Sequence, residues 1–170
     1  HKFPKELEAF QDWVARKVVK APHSTLRDTA VGDLGWPAMK VRQEHAMLRY
    51  WGKILAMPQE RLPKKMYNEM MEQRRPLQSS WCSSVRRIAF KWDLGSVWES
   101  QQLPPGWNGD RWRDFLIGVA KKRATEVWHN SIAENDRRIA RNYASWLHTA
   151  DASHMEMAEY LRFAGIEDEG

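Results

Sequence analysis

Apolar positions recur along this chain at spacings of three and four, the signature of one helical face. Met47, Tyr50, Trp51, Ile54 and Leu55 fall at i, i+3, i+4, i+7 and i+8. An amphipathic helix is therefore expected from Pro37 to Ala56, ended by Pro58, with Tyr50 and Trp51 in the core and Arg42, Glu44, Arg49 and Lys53 around the rest of the wheel. Upstream, Leu7, Phe10, Val14 and Val18 predict a helix over 4–20, opened by Pro4 and stopped at Ala21-Pro22. Leu26, Ala30, Val31 and Leu34 predict a short helix over 25–34, closed by Gly35. Downstream, a helix is expected over 63–75 with Met66, Tyr67 and Met70 inward. Another should start at Ser79 or Ser80, with Trp81, Val85, Ile88 and Trp92 on one stripe and Gly95 as its C-cap. A long helix over 110–133 would carry Trp112, Phe115, Leu116, Val119, Val127 and Ile132, with Trp128 beside that face. Helices over 136–148, with Ile139, Tyr143, Trp146 and Leu147 in phase, and over 154–163 complete the series.

No alternating run of β-branched residues and no Asn-Gly hairpin signal occurs. The expected fold class is all-α, an irregular bundle of about seven to nine helices. The stretch "QQLPPGWNGD" breaks the helical pattern with two prolines and two glycines. It suggests a basic helical lobe over 1–103, a Pro/Gly linker over 104–109, and a second helical lobe over 110–170 with an acidic tail.

Composition refines this picture at a few points. The chain has 170 residues, 42% of them hydrophobic, and ten Trp. That is enough apolar material for a real core without disulfide staples. The single Cys82 excludes an internal disulfide and a cysteine zinc site, which fits a reducing compartment. No run approaches the ~20 apolar residues that span a bilayer, and no signal-peptide pattern opens the chain. It begins at His1, so a fragment, a processed product or a trimmed piece is expected.

The net charge is +5 and the pI about 9.4, unevenly distributed. Residues 1–92 hold 18 Lys plus Arg against 9 Asp plus Glu, and residues 93–170 hold 9 against 13. A basic front half is an electrostatic footprint suited to phosphate.

Enzyme signatures are missing: no Gly-x-x-x-x-Gly-Lys loop, no Gly-x-Ser-x-Gly elbow and no His-Glu-x-x-His pair. His148, Asp151 and His154 could meet a divalent ion if "HTADASH" folded back, or be a helix-end His, an N-cap and a surface His. Cys82 lies near Arg86, where a cation would lower its pKa, yet it follows core-like Trp81 and has no assigned His partner, so the reading taken is a small buried thiol. Glu6 with Glu8 and Asp110 with Asp114 fit solvated helix starts. No catalytic residue, metal or cofactor is assigned.

Basic clusters remain as the candidate chemistry. They are Arg16, Lys17 and Lys20; Arg49 and Lys53; Arg61, Lys64 and Lys65; Arg74 and Arg75; Arg86, Arg87 and Lys91; Lys121, Lys122 and Arg123; and Arg137, Arg138 and Arg141. Each repeats at helical spacing opposite an apolar stripe, as a phosphate-binding face or a merely solvated one would.

The order of segments carries a family resemblance. Ala30-Val31-Gly32-Asp33-Leu34-Gly35, followed by a helix containing Leu48-Arg49-Tyr50-Trp51-Gly52-Lys53, resembles the region after the polymerase core in non-LTR, LINE-like retrotransposon polyproteins. Trp128, Arg141, Tyr143 and Tyr160-Leu161 match positions nearer the C-terminus of such proteins. The resemblance spans roughly Leu7 to Phe163 and rests on helix-packing signatures rather than active-site boxes. It implies a parent RNA-directed DNA polymerase that copies its own RNA at a nicked chromosomal site. It also implies an intracellular location, cytoplasmic or nuclear. The family's Tyr-x-Asp-Asp box and Cys/His knuckle are both missing here. The segment would then be non-catalytic by itself, supporting the rest of the polymerase and contacting RNA or DNA backbone. The competing readings are a protein-interaction module using Trp98, Trp107 or Met157, and a free-standing enzyme using Cys82 or the His148–His154 cluster.

Overall fold

The structure, a computed structural model, describes residues 5–72 and 80–134. Among them are seven helices and no strand: α1 (Lys5–Val18), α2 (Arg27–Asp33), α3 (Met39–Ala56), α4 (Leu62–Glu72), α5 (Trp81–Lys91), α6 (Gly95–Ser100) and α7 (Gly109–Ala133). The fold is all-α and irregular, as the periodicity implies. The helices expected over 136–148 and 154–163 lie outside the described residues. The chain divides into two compact units, one containing Gln43–Val119 and the other Phe3–Arg42 with Ala120–Gly170. The division falls within α3 and within α7, and the Pro/Gly stretch over 104–109 lies inside the first unit.

The Gln43–Val119 unit is built around tryptophan. Trp51 and Trp112 are almost wholly buried, with Leu48, Val85, Ile88, Trp92 and Leu116 beside them. Trp51 meets Trp112 edge to face at 5.9 Å between ring centroids and Trp98 at 5.6 Å. These geometries suit the aromatic quadrupole. A buried indole N–H also needs an acceptor. Trp51 Nε1 donates to the Tyr67 hydroxyl at 3.0 Å, Trp92 Nε1 to Glu44 Oε2 at 2.8 Å, and Trp112 Nε1 to the Leu48 carbonyl at 3.1 Å. Ser80 caps α5, its side chain accepting from Ser83 N.

The second unit has a smaller core of Ala15, Ala30, Val31 and Leu34, with Val18, Val19 and Trp36 packed against it. Arg27 of α2 reaches two carboxylates one turn apart on α1, Glu8 at 2.7 Å and Asp12 at 2.9 Å. Glu8 also accepts from Lys40 N in the first turn of α3, where a negative charge is favoured.

The two units share one packing device. In each, an indole from α7 rests close against a helical glycine: Trp112 against Gly52 and Trp128 against Gly32. In each, the indole N–H donates to the carbonyl four residues before that glycine, Leu48 for Trp112 and Asp28, at 2.8 Å, for Trp128. A missing Cβ opens the helix surface far enough for a ring to reach the backbone.

Several sequence expectations are corrected. Leu7 and Phe10 are exposed, and α1 buries Gln11 and Ala15 instead. The face toward α2 is set by small Ala15 and the two carboxylates held by Arg27, so the bulky residues fall on another side. Met66 and Met70 are exposed while Lys64 and Tyr67 are buried. The hydrogen bonds of the Tyr67 hydroxyl fix the phase of α4 and rotate both methionines outward. Tyr50 is half exposed, although Trp51 beside it is buried. Phe115 is partly exposed. Gly95 opens α6 and does not cap α5. Asp93 takes the left-handed position there, at φ 57, and Leu94 N closes the turn on the Ala89 carbonyl. Aspartate tolerates that conformation better than most residues. Gly35, at φ 64, does close α2 as expected, with Trp36 N on the Val31 carbonyl.

Candidate functional site

The described cations divide into those consumed inside the fold and those facing water. In the Gln43–Val119 unit, Arg49 and Lys53 are one turn apart on α3 and exposed. Arg61 and Lys65 are exposed at the start of α4, and Arg86 and Arg87 are exposed on α5. Among the described residues, none of these six has a carboxylate ion-pair partner. Arg86 lies over the Phe90 ring, 5.8 Å from its centroid. They are the expected residues that the structure leaves available to a polyanion in this unit.

Other expected positions are committed elsewhere. Lys91 is held by Glu44, its Nζ 2.7 Å from Oε1 and 2.8 Å from Oε2. Lys64 does not face outward: it is 6% exposed. Its Nζ donates to the Leu55 carbonyl at 3.4 Å.

In the second unit, Arg16 donates to the Thr25 carbonyl at 3.0 Å, and Arg123 pairs with Glu126 at 3.1 Å. Lys17, Lys20, Lys121 and Lys122 are exposed, with Lys17 Nζ 6.0 Å from the Trp13 ring centroid. Arg74 and Arg75 lie outside the described residues, as do Arg137, Arg138 and Arg141.

The enzyme candidates fare differently. Cys82 is buried, and burial pushes its thiol pKa up, the reverse of what an activated nucleophile needs. His148, Asp151 and His154 lie outside the described residues. Among the described residues, no three His, Cys, Asp or Glu side chains group as a metal site, and no helix is long and apolar enough to cross a membrane.

A polar cluster in the Gln43–Val119 unit was not legible in the sequence. The Tyr67 hydroxyl accepts from Trp51 Nε1 and donates to Gln101 Oε1, and Gln101 in turn donates to the Trp98 carbonyl. Gln101 sits in the left-handed region at φ 53, where it ends α6. Beside this chain opens a cavity of about 330 Å³, lined by residues of α4 and the end of α6, with Lys64 in its wall. The one available signal was phase: Lys64 and Tyr67 are three apart on α4, so a buried tyrosine brings that lysine to the same face.

Burial is the main force on Tyr67 and drives its phenol up to about 12. An unfolded chain ionises tyrosine near pH 10. The hydroxyl thus contributes stability that is complete below about pH 10 and is lost as pH rises toward about 12. In a base titration followed by tyrosinate absorbance, one tyrosine should ionise late, and Tyr67→Phe should remove that late phase. A late phase surviving in Tyr67→Phe would contradict the assignment.

No family model matches the chain, and neither a curated protein nor a solved structure matches it.

Proposed function

We propose that this chain is a non-catalytic helical module that grips RNA or DNA backbone, within an RNA-directed DNA polymerase of the non-LTR retrotransposon type, in the cytoplasm or nucleus. The observation that carries the reading is the set of six exposed cations on α3, at the start of α4 and on α5 that have no ion-pair partner among the described residues. A fold that needed those charges for its own stability would pair them, as it pairs Lys91 with Glu44 and Arg27 with Glu8 and Asp12. Trp51, Trp92 and Trp112 are internal and cannot serve as stacking platforms, which require exposed rings, whereas Tyr50 and Phe90 are exposed beside Arg49 and Arg86, so the reading rests on the cations themselves. The segment order quoted above supports the parentage.

Charge reversal tests it. Arg49→Glu with Lys53→Glu, or Arg86→Glu with Arg87→Glu, should weaken binding of a fluorescently labelled strand by roughly tenfold or more at low salt, uniformly across sequences. All four positions are exposed, so the melting midpoint should stay within a few degrees of the parent. Undiminished binding by both folded double variants would refute the reading.

One observation favours a second reading, a protein-docking module. Leu62, Met66 and Met70 form an exposed i, i+4, i+8 stripe along α4. If Met66→Lys abolished an interaction of the parent protein while strand binding stayed intact, the stripe and not the cations would be the working surface.

A further inference from the structure

The cavity beside α4 contains a charge that the fold leaves uncompensated. Lys64 is 94% buried, since only 6% of it reaches solvent. An ammonium carries three donors. The contact made by this one is the 3.4 Å bond to the Leu55 carbonyl, with the Tyr67 ring centroid at 6.0 Å. No carboxylate pairs with it among the described residues; Glu72, also in the wall, is exposed and makes no ion pair with it. A buried cation with so little compensation is costly unless an anion completes it. Desolvation acts on it in the same sense, lowering the Lys64 pKa.

The rest of the wall has a matching character. Asn68 Nδ2 donates to Gln59 Oε1 at 2.9 Å, making an amide pair that keeps further donors and acceptors available. Ser100 and Gln102 add polar groups, and Leu55 and Met71 add apolar surface. About 330 Å³ is too large for a bare ion and falls in the range of small organic ligands.

We propose that this cavity binds a phosphate monoester on a hydrogen-bonding organic body, the phosphate meeting Lys64 Nζ and the body lying against the Gln59–Asn68 amide pair. A nucleoside monophosphate has this chemistry, and so does the phosphorylated end of a strand. The site goes beyond the backbone-binding surface: it is a pocket, on different side chains, and either can exist without the other.

The test is calorimetric titration of the full chain with adenosine 5′-monophosphate, with adenosine, and with a short strand carrying or lacking a 5′-phosphate. Expected is binding of the phosphorylated probe at least about tenfold tighter than its unphosphorylated counterpart. The mononucleotide pair reports a free nucleotide as ligand and the strand pair a strand end. Lys64→Met should remove the preference without lowering the melting midpoint, because it replaces a poorly compensated charge by an apolar side chain of similar length. In the unsubstituted protein, the monophosphate should also slow reductive methylation of Lys64, read by peptide mass. That measurement decides the matter if Lys64→Met does not fold. Equal affinities with and without phosphate in both pairs, a preference that survives in folded Lys64→Met, or unprotected Lys64 would each overturn the proposal.

Discussion

Replacing Gly52 by alanine will destabilise the Gln43–Val119 unit by about 3–4 kcal/mol, the sum of an overpacking cost and a lost buried hydrogen bond. In chemical denaturation this should appear as a fall in midpoint, and on heating as a drop of roughly 10 °C. Helix propensity alone predicts the opposite sign, because alanine is favoured over glycine inside a helix by about 1 kcal/mol. The structure overrides that preference. A Cβ at position 52 would fall 1.9 Å from Trp112 Nε1 and 2.0 Å from Cδ1. Trp112 is 1% exposed, so its ring has nowhere to retreat, and any shift lengthens its bond to the Leu48 carbonyl. Adding Trp112→Phe to Gly52→Ala should cost less than the two single effects summed, since the smaller ring leaves room for the methyl. Gly118→Ala on α7 is the control: nothing lies within 4 Å of the added Cβ, so it should be neutral or stabilise by up to about 1 kcal/mol. A stabilised Gly52→Ala would show that the indole does not rest on the helix as described.

The second large effect is expected at Glu44. This carboxylate is 7% exposed and lies between the Lys91 ammonium and the Trp92 indole N–H. Glu44→Ala strips both of their acceptor and should cost about 3 kcal/mol, nearer the lower end for a broken buried pair because Lys91 can turn toward water. Glu44→Gln keeps a carbonyl for Trp92 and loses the charge, so it should cost roughly half as much. Denaturant midpoints of the two variants, with Lys91→Met to remove the other partner, give the coupling directly. If Glu44→Ala and Glu44→Gln were both neutral, the carboxylate would not be tying α3 to the end of α5.

Much of the helical frame was legible because burial follows a period of 3.6. The stripe of Val85, Ile88 and Trp92 is buried as its spacing implies, and so are Leu26, Ala30, Val31 and Leu34. What spacing cannot show is a partner far away in sequence. Glu44, expected among the polar positions of the wheel, is instead buried one turn before Leu48, and its reason for being inside is Lys91, 47 residues later. Gly52 reads as an ordinary helix weak point until Trp112 is found on it. On α1 the larger apolar residues suggested the wrong face, because contact with α2 is made by a small residue and ion pairs.

The same limit applies to the cations. Arg49, Lys53, Arg86 and Arg87 face water, as expected opposite an apolar stripe. Residue type and periodicity gave no sign that Arg16 would be taken by a carbonyl, Lys91 and Arg123 by carboxylates, or Lys64 by the wall of a cavity. Each of those outcomes depends on a neighbour brought in by folding.

The salt dependence of nucleic-acid binding tests the role of the exposed cations most directly. The affinity of the full chain for a duplex and for a single strand would be measured across a series of monovalent salt concentrations. With four to six phosphate contacts, log K should fall linearly with log salt at a slope of roughly −3.5 to −5.5 on duplex and less steeply on single strand. The Arg49→Glu, Lys53→Glu variant should lose about two contacts' worth of that slope. A slope near zero, or no binding at low salt by a folded protein, would contradict the assignment of these faces to nucleic acid.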